Sequence, residues 1–358
     1  MPTAATAPTA HDTGDAVPRL SHTFDITAVD REVVERIVAA LHEVARSCRF
    51  DDRGWLLTPD EETLVRLEKR ADELGLVDHE AAEELRGERL DAAAGLREGT
   101  PRTEAEADEL AVAAARTALR LLNGSHLEPR SHYLLTELSP EGVRVEPADD
   151  GEKGWSGTGL TVTAWDEEGT SSLDFGMPDA VGGTEPPVTW GSVTHDGPAG
   201  LLTGTGEVKL PGRGAWLRSA TGELRFSTGD WYTSVAGRGG DRPARLRADH
   251  AIAAVDAWLA PTAGEDGRWS VEAVLDVRGK GVFRPVVAAS VWAATASFRR
   301  AERRAARLGT EEPTTRQRLD RSALAWDRIA RNAPRLPELL HDLAGAMAAA
   351  GPREGSRD

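Results

Sequence analysis

The sequence contains one cysteine, Cys48, among 358 residues. A single thiol excludes an internal disulfide and a metal site built on several cysteines. Long apolar runs are also lacking: the longest weakly polar stretch, Val286 to Phe298, is shorter than the roughly 20 residues that span a bilayer. Residues Met1 to Pro18 have neither the basic residues nor the apolar run of a secretory signal. We therefore expect a cytoplasmic protein without a membrane span.

Positive charge is the minority charge. Lys and Arg number 43 against 59 Asp and Glu, which gives a net charge of -16. An acidic surface repels phosphate backbones and anionic lipids, so we expect neither nucleic acid nor membrane among the partners. Arginine far outnumbers lysine, and this bias, with abundant Ala and Gly, is typical of a high-GC bacterial genome. The 40% of hydrophobic residues is typical of a folded globular protein.

The sequence also lacks the common catalytic motifs. Gly279-Lys280 is followed by glycine, which excludes a phosphate-binding loop, and Gly154 to Thr158 lacks the last glycine of a nucleophile elbow around Ser156. His79 to Glu83 offers two metal ligands on one helix face, fewer than a stable site needs. We expect no metal and no cofactor, and the residues leave open whether the protein is an enzyme.

Apolar residues spaced by three and four predict four helices in the N-terminal part of the chain. Asp30 is the expected cap of the first helix. Thr58 is the expected cap of the second, which ends before Gly75. The third is predicted from Asp78 to Leu96, and the fourth from Thr103 to Asn123.

The hydrophobic period changes from helical to alternating after Pro129. Short alternating runs separated by Gly, Pro and Asp predict strands joined by short turns. Such connections favour antiparallel hairpins, because a parallel crossover needs a dozen or more residues. The predicted strands are Tyr133–Leu138, Gly142–Glu146, Gly159–Trp165, Ser172–Phe175, Val188–Thr194, Leu201–Leu210, Ala215–Phe226, Asp230–Ala236 and Trp269–Val277.

The segment from Arg242 to Leu259 is ambiguous. It can be a helix capped by Asp241, or a strand that pairs with Trp269–Val277 across the turn at residues 263–267. The alanine run favours the helix because alanine has the highest helix propensity.

Helices are predicted again from Arg284 to Leu308, from Pro313 to Ala333 and from Leu336 to Ala349. The predicted fold class is α+β: an N-terminal helical region, a central antiparallel β-sheet or partial barrel, and C-terminal helices packed on it. The predicted divisions are a disordered tail (1–22), a helical region (23–125), a Trp-rich antiparallel β region (126–282), C-terminal helices (283–350) and a second tail (351–358).

One stretch resembles a known fold. From Trp269 to Leu308, a strand is followed by a Gly-rich bend and a long helix opened by Pro285. This order is similar to the end of the START-type lipid-binding fold, in which a terminal helix closes a curved antiparallel sheet. The stretch holds no diagnostic residue of that fold, and we transfer no function on it.

Tryptophan is the dominant aromatic residue: 10 Trp accompany 6 Phe and 2 Tyr. Those of the predicted β region are Trp155, Trp165, Trp190, Trp216, Trp231, Trp258 and Trp269. They either fill a wide β core or line an apolar pocket with a few polar groups. The residues that we predict to bind a ligand are Trp231, Tyr232, His250, Trp258 and Trp269.

Three hypotheses of function follow. The first is a non-catalytic protein that binds an apolar or aromatic small molecule between the sheet and the helix from Arg284. The second is an interaction or assembly protein, in which the acidic N-terminal helices and the Arg-rich helices between Arg299 and Arg335 dock on protein partners. The third is an enzyme whose His and carboxylate come together only by folding. The tryptophan density and the lack of catalytic motifs favour the first.

Overall fold

The computed structural model describes residues 19–77, 117–137, 158–177, 188–209, 218–239, 242–291 and 315–351. The chain divides into two compact units. Unit 1 comprises Met1–Val34, Glu168–Ser171 and Gly191–Ala333. Unit 2 comprises Glu35–Glu167, Ser172–Trp190 and Pro334–Asp358.

The described residues form a large antiparallel sheet of 11 strands together with helices, which confirms the α+β class. The strand order is β1-β11-β10-β9-β8-β7-β6-β5-β4-β3-β2. Closure of this sheet into a partial barrel stays a prediction. The strands are β1 (Arg19–Thr27), β2 (Thr117–Asn123), β3 (His132–Glu137), β4 (Thr158–Ala164), β5 (Thr170–Met177), β6 (Val188–Asp196), β7 (Leu201–Lys209), β8 (Ser219–Ser227), β9 (Ala244–His250), β10 (Ala253–Ala263) and β11 (Arg268–Gly279).

Helices flank the strands in both units. Within the described residues they are α1 (Arg31–Ser47), α2 (Glu61–Glu73), α3 (Thr228–Val235), α4 (described over 284–291), α5 (Thr315–Asn332) and α6 (Leu336–Ala349). The predictions of α1, α2, α5 and α6 are confirmed. The cap of α2 is Asp60 and not Thr58, because the Asp60 carboxylate accepts the Thr63 backbone N–H at 2.7 Å. Gly75, with φ +68°, follows the end of the helix as predicted.

The predicted helix from Arg242 to Leu259 is wrong. This segment forms β9 and most of β10, and β10 pairs with β11 across the turn of the alternative prediction, with Ala263 opposite Trp269. Helix propensity is a weak preference that tertiary pairing overrides. Here a strand on each side of β10 supplies the hydrogen bonds that a helix would have supplied internally.

Two further predictions are corrected. Asp230–Ala236 was predicted as a strand, but Thr228–Val235 is helix α3; the Ser227 hydroxyl accepts the Asp230 backbone N–H at 3.1 Å and caps it. Thr117–Asn123 was predicted as the end of the fourth helix, but it is strand β2. Its residues pair with those of β3, so a partner strand decided its conformation.

Several predictions lie outside the described residues. They are the third helix, the fourth helix up to residue 116, the strand Gly142–Glu146, the helix from Arg284 beyond residue 291, and the tails before residue 19 and after residue 351.

Strand β1 is an element that the sequence pattern did not reveal. Its nine residues pair antiparallel with β11, which places Ile26 opposite Trp269 and Phe24 opposite Val271. The pairing joins segments more than 240 residues apart, so a local window of sequence does not contain the partner of β1. In unit 1, Ile26, Trp231, Trp269 and Val271 form a buried core cluster.

Helix α5 packs beside β1 in unit 1. Its buried Asp327 carboxylate accepts the Thr27 backbone N–H at 2.7 Å, the Thr27 hydroxyl at 2.9 Å and Arg268 at 3.2 Å. Burial is the largest influence on this carboxyl group and opposes its ionisation, but the bonds from Thr27 and Arg331 and the charge of Arg268 together hold the pKa of Asp327 below its usual value.

In unit 2, Trp55, Tyr133, Leu134 and Val162 are buried. The turn before Trp55 covers the free edge of β2: Leu121 donates its backbone N–H to the Gly54 carbonyl at 2.7 Å. Gly54 has φ +82°, and a Cβ there would overlap the Leu121 carbonyl oxygen, so this position requires glycine. Covering an edge strand in this way removes a site for pairing with other chains.

Candidate functional site

The strands of unit 1 present one apolar and one charged face. Residues opposite each other in an antiparallel pair share a face, and alternate residues along a strand point to opposite faces. The registers of β7 to β11 therefore define an apolar sheet face: Val208, Leu224, Phe226, Ala244, Leu246, Ala248, Val255, Ala257, Leu259, Trp269, Val271, Ala273, Leu275 and Val277.

One end of the apolar sheet face is closed by α3. The Trp231 ring meets Trp269 with 5.7 Å between ring centroids and Phe226 with 5.8 Å, and the Tyr232 ring lies 5.7 Å from Trp269. The Tyr232 hydroxyl donates to the Val29 carbonyl at 2.8 Å, which fixes the helix in place. Three of the predicted ligand-binding residues, Trp231, Tyr232 and Trp269, are thus brought together, and they pack against one another as a wall.

The middle of the apolar sheet face is open. Leu246 is 46% exposed, Leu224 directly opposite it on β8 is 43% exposed, and Val208 on β7 is 37% exposed. Large aliphatic side chains on inner strands are normally covered, and the exposed pair of Leu246 and Leu224 is the kind of apolar surface that is typical of an interaction or ligand-binding site. The sequence signal for this patch was the alternation in β7, β8 and β9, and reading residues 244–250 as a helix hid it.

The other end of the apolar sheet face meets α4. Gly279 pairs with Ala253 on this face, and a Cβ at Gly279 would lie 2.9 Å from the Val287 Cβ of α4 and 2.7 Å from the Arg284 Cα. The glycine therefore lets α4 begin close to the sheet. Helices α3 and α4 stand at opposite ends of the strands, on the apolar side.

His250 also lies on the apolar side, opposite Ala220, and its Nδ1 is 3.4 Å from the Ile252 backbone nitrogen. Six residues separate it from Ala244 at the α3 end of β9. At roughly 3.3 Å per residue this is about 20 Å. The structure therefore places His250 on the same face as the aromatic wall but at the opposite end.

Trp258 lies on the charged face, on the other side of the sheet from Trp231 and Trp269. It is opposite Val274 and Arg245 and is buried. The Arg242 guanidinium is stacked 3.6 Å from its ring centroid, and that of Arg19 lies 4.9 Å away. These cation–π contacts hold the Trp258 ring in place, which gives Trp258 a structural role.

The charged face contains a network of Arg and Asp residues that the sequence analysis did not identify. Asp256 accepts Arg242 at 2.6 Å and Arg245 at 2.6 and 2.7 Å, and Asp276 pairs with Arg278. Bonding from Arg245 is the largest influence on Asp256 and lowers its pKa, although burial opposes this. Since Asp256 points to this face and His250 to the other, the structure does not assemble these two residues into a site.

The described residues include two surface depressions. One, of about 410 Å³, lies on the charged face around Arg245, Arg247 and Asp256. The other, of about 800 Å³, lies in unit 2 between α2 and α6, lined by Arg66, Arg70 and the small residues of α6. In both, arginines and carboxylates occur in similar numbers, so neither has a strong preference for an ion of one sign.

The described part of the chain contains two pairs of a histidine and a carboxylate. His22 Nε2 lies 3.4 Å from the Asp320 carboxylate, and His341 pairs with Glu43; the carboxylates of both pairs are exposed. No three His, Cys, Asp or Glu side chains of the described residues come together to hold a metal ion. None of the helices described here is long and apolar enough to cross a bilayer.

Comparison with known proteins returned no matching family model, no similar curated protein and no similar solved structure.

Proposed function

We propose that this protein is a non-catalytic binder of an apolar small molecule, which it holds on the apolar sheet face between α3 and α4. The observation that carries the proposal is the exposure of Leu246 and of Leu224 opposite it, with exposed Val208 four residues beyond Gly204, the β7 residue that faces Leu224. The aromatic wall of α3 limits this face at one end of the strands and α4 limits it at the other.

The energetics support such a role. Complete burial of a Leu or Val side chain contributes roughly 1.5 to 3 kcal/mol. Covering three half-exposed side chains therefore contributes about 2 to 4 kcal/mol, and the buried surface of the ligand adds a similar amount. The sum is about 4 to 8 kcal/mol before the cost of association is subtracted, so the expected affinity is millimolar or weaker.

The aromatic wall sets where a ligand lies. Trp231 and Trp269 are both buried and fill the space between α3 and the sheet. A ligand therefore meets the exposed aliphatic residues of the middle strands and only the outer side of the wall. Trp258 and the Asp256 network, on the charged face, take no part in this proposal.

The test uses two variants at neighbouring positions of one strand. Leu246→Gln places a polar group on the apolar sheet face, and Arg247→Gln changes an exposed residue on the charged face. Thermal shift and Trp fluorescence are recorded with neutral straight-chain alcohols and polycyclic aromatics. We expect the wild type and Arg247→Gln to bind the same compounds, and Leu246→Gln to bind them at least about tenfold more weakly. Absence of binding by all three proteins, or equal binding by all three, contradicts the proposal.

A second candidate function rests on α5. This Arg-rich helix exposes Leu324 (64%), Trp326 (51%) and Ile329 (63%) while it buries Asp327 and Ala330 against β1. Exposed Trp and Arg residues are characteristic of protein interfaces. An interaction or assembly role predicts that Trp326→Ser abolishes a salt-sensitive association seen by size-exclusion chromatography of the wild type at low salt. A wild type that stays monomeric and binds no native protein at low salt contradicts this role.

A further inference from the structure

A hydrogen-bonded pair in unit 2, half-buried His126 and buried Tyr133, has no part in the function proposed above. His126 lies in the loop between β2 and β3, and Tyr133 lies in β3. The His126 Nδ1 is 2.8 Å from the Tyr133 hydroxyl oxygen, and its Nε2 is 2.8 Å from the Ala45 carbonyl oxygen at the end of α1. The Leu127 backbone N–H donates to the same hydroxyl at 2.8 Å. The pair therefore joins α1, the loop and β3.

The hydrogen-bond partners determine where the protons of the His126 imidazole and the Tyr133 hydroxyl lie. A carbonyl oxygen only accepts, so His126 Nε2 carries a proton and donates it to Ala45. In a neutral imidazole the other nitrogen is then an acceptor. The Tyr133 hydroxyl consequently donates to Nδ1 while it accepts the Leu127 N–H. Every polar group is satisfied, but only while His126 is neutral.

Protonation of Nδ1 removes this arrangement. Nδ1 becomes a donor, so the Tyr133 hydroxyl proton loses its acceptor, and Tyr133 is 5% exposed. A buried hydroxyl proton without an acceptor is unfavourable. Burial, which the bond to Ala45 only partly offsets, lowers the pKa of His126.

No charged side chain of the described residues compensates the cation. The groups that meet the ring are the Ala45 carbonyl, the Tyr133 hydroxyl and the Phe50 ring, 4.9 Å away between centroids. The titratable groups nearby are engaged in other contacts: Cys48 donates to Val44, Arg46 pairs with Glu167, Arg49 donates to Ala348, and His132 contacts Thr161. Glu128 and Arg130 of the loop are exposed.

The loop itself is strained. Leu127 has φ +61° and Arg130 has φ +74°, a conformation that costs free energy for residues with a side chain. The Leu127 N–H is the group held by Tyr133, so the same hydroxyl restrains both the imidazole and the strained residue. Weakening this contact lets the loop relax.

We propose that His126 is an acid-sensitive latch: neutral His126 holds the β2–β3 loop on the end of α1, and its protonation releases the loop. Protonation alone opens the loop, so the proposal is independent of the ligand binding proposed for unit 1. The ordinary imidazole pKa is about 6.5, and that of His126 in the closed loop is lower. As the pH falls from the first value to the second, the open fraction of the loop rises by up to about tenfold per pH unit.

Hydrogen exchange of the full chain tests the latch. Exchange of residues 124–131 is followed by mass spectrometry at pH 7.5 and pH 5.0, after correction for the intrinsic pH dependence. We expect faster corrected exchange of this loop at pH 5.0, by up to about tenfold for each pH unit below 6.5, in the wild type and in the control His132→Gln. In His126→Gln the corrected rates at the two pH values should be equal, because the titrating group is gone.

Two results overturn the proposal. One is a loop whose corrected exchange is independent of pH in the wild type, or which is accelerated equally in His126→Gln. The other, which needs no variant to fold, is an NMR titration of the wild-type imidazoles in which the pKa of His126 lies at or above the ordinary value.

Discussion

Asp327 shows how one carboxylate can fasten a helix to a sheet. It is buried and accepts both the backbone N–H and the hydroxyl of Thr27 at the end of β1, while Arg268 and Arg331 balance its charge. Among the described side chains of α5, Leu324, Trp326 and Ile329 are exposed, whereas Ala330 is buried with Asp327. Asp327 therefore supplies the hydrogen-bonded and charged part of the contact between α5 and β1.

We predict that Asp327→Ala destabilises unit 1 by about 3 kcal/mol, because the half-buried Thr27 N–H and hydroxyl lose their acceptor and Arg268 and Arg331 lose a buried counter-charge. Urea unfolding measures this change. Asp320→Ala on the same helix is the matched control: its carboxylate is exposed beside His22, so its loss should cost less than about 1 kcal/mol. Equal effects of the two substitutions would contradict the account of α5.

At the scale of single residues, the sequence identified the importance of tryptophan but not the role of each ring. Trp231, Trp258 and Trp269 are all buried, and the amino-acid composition does not distinguish them. Trp269 and Trp258 lie on opposite faces because their positions in β11 and β10 differ by an odd number of residues in the paired register. That register requires residues 244–263 to form strands, which the predicted helix excludes.

At the scale of elements, helix α3 depends on its cap. The Ser227 hydroxyl accepts the Asp230 N–H, and the helix carries Trp231 and Tyr232 to the aromatic wall. Eight residues form a helix too short to be stable without tertiary contacts and capping. The pattern Ser-Thr-Gly-Asp over residues 227–230 is a start signal for a helix, whereas the prediction placed a strand at Asp230–Ala236.

We predict that Ser227→Ala lowers the free energy of unfolding by about 0.5 to 2 kcal/mol, because the first turn of α3 loses its acceptor. Ser227→Thr keeps the hydroxyl and should retain most of the stability. Denaturant unfolding followed by Trp fluorescence compares them. An alanine variant as stable as the threonine variant would show that the cap is dispensable.

Elements with complete local signals were predicted correctly, and those that depend on partners were not. Helices α1 and α6 have an apolar face and clear ends, so periodicity was sufficient. Strand β2 and the β9–β10 hairpin are rich in Ala, Leu and Arg, which favour helices. Their conformation is decided by the strands beside them, which no local window contains.

At the scale of the whole molecule, pH acts through groups of two kinds. The pKa of His126 is lowered, so the unfolded chain binds its proton first and stability falls as the pH drops below about 6.5. The pKa values of Asp256 and Asp327 are also lowered, so the stability that they contribute is present above about pH 4 and is lost below it. Acid should therefore reduce stability in two separate steps.

We predict that the free energy of unfolding, measured from pH 8 to pH 3, falls first as the pH drops below about 6.5 and again below about pH 4. His126→Gln should remove the first fall and leave the second. Asp256→Asn should weaken the second and leave the first. A single fall below pH 4 in the wild type would contradict the assignment to His126.

The measurement that tests the central claim most directly is the alkylation of a cysteine introduced on the apolar sheet face. Leu246→Cys and Arg247→Cys are made in a Cys48→Ser background and labelled with a neutral maleimide, with and without a compound that binds the wild type. The account predicts that the compound slows labelling at position 246 and leaves position 247 unchanged. Equal protection at both positions, or none at position 246, would contradict a ligand site on this face.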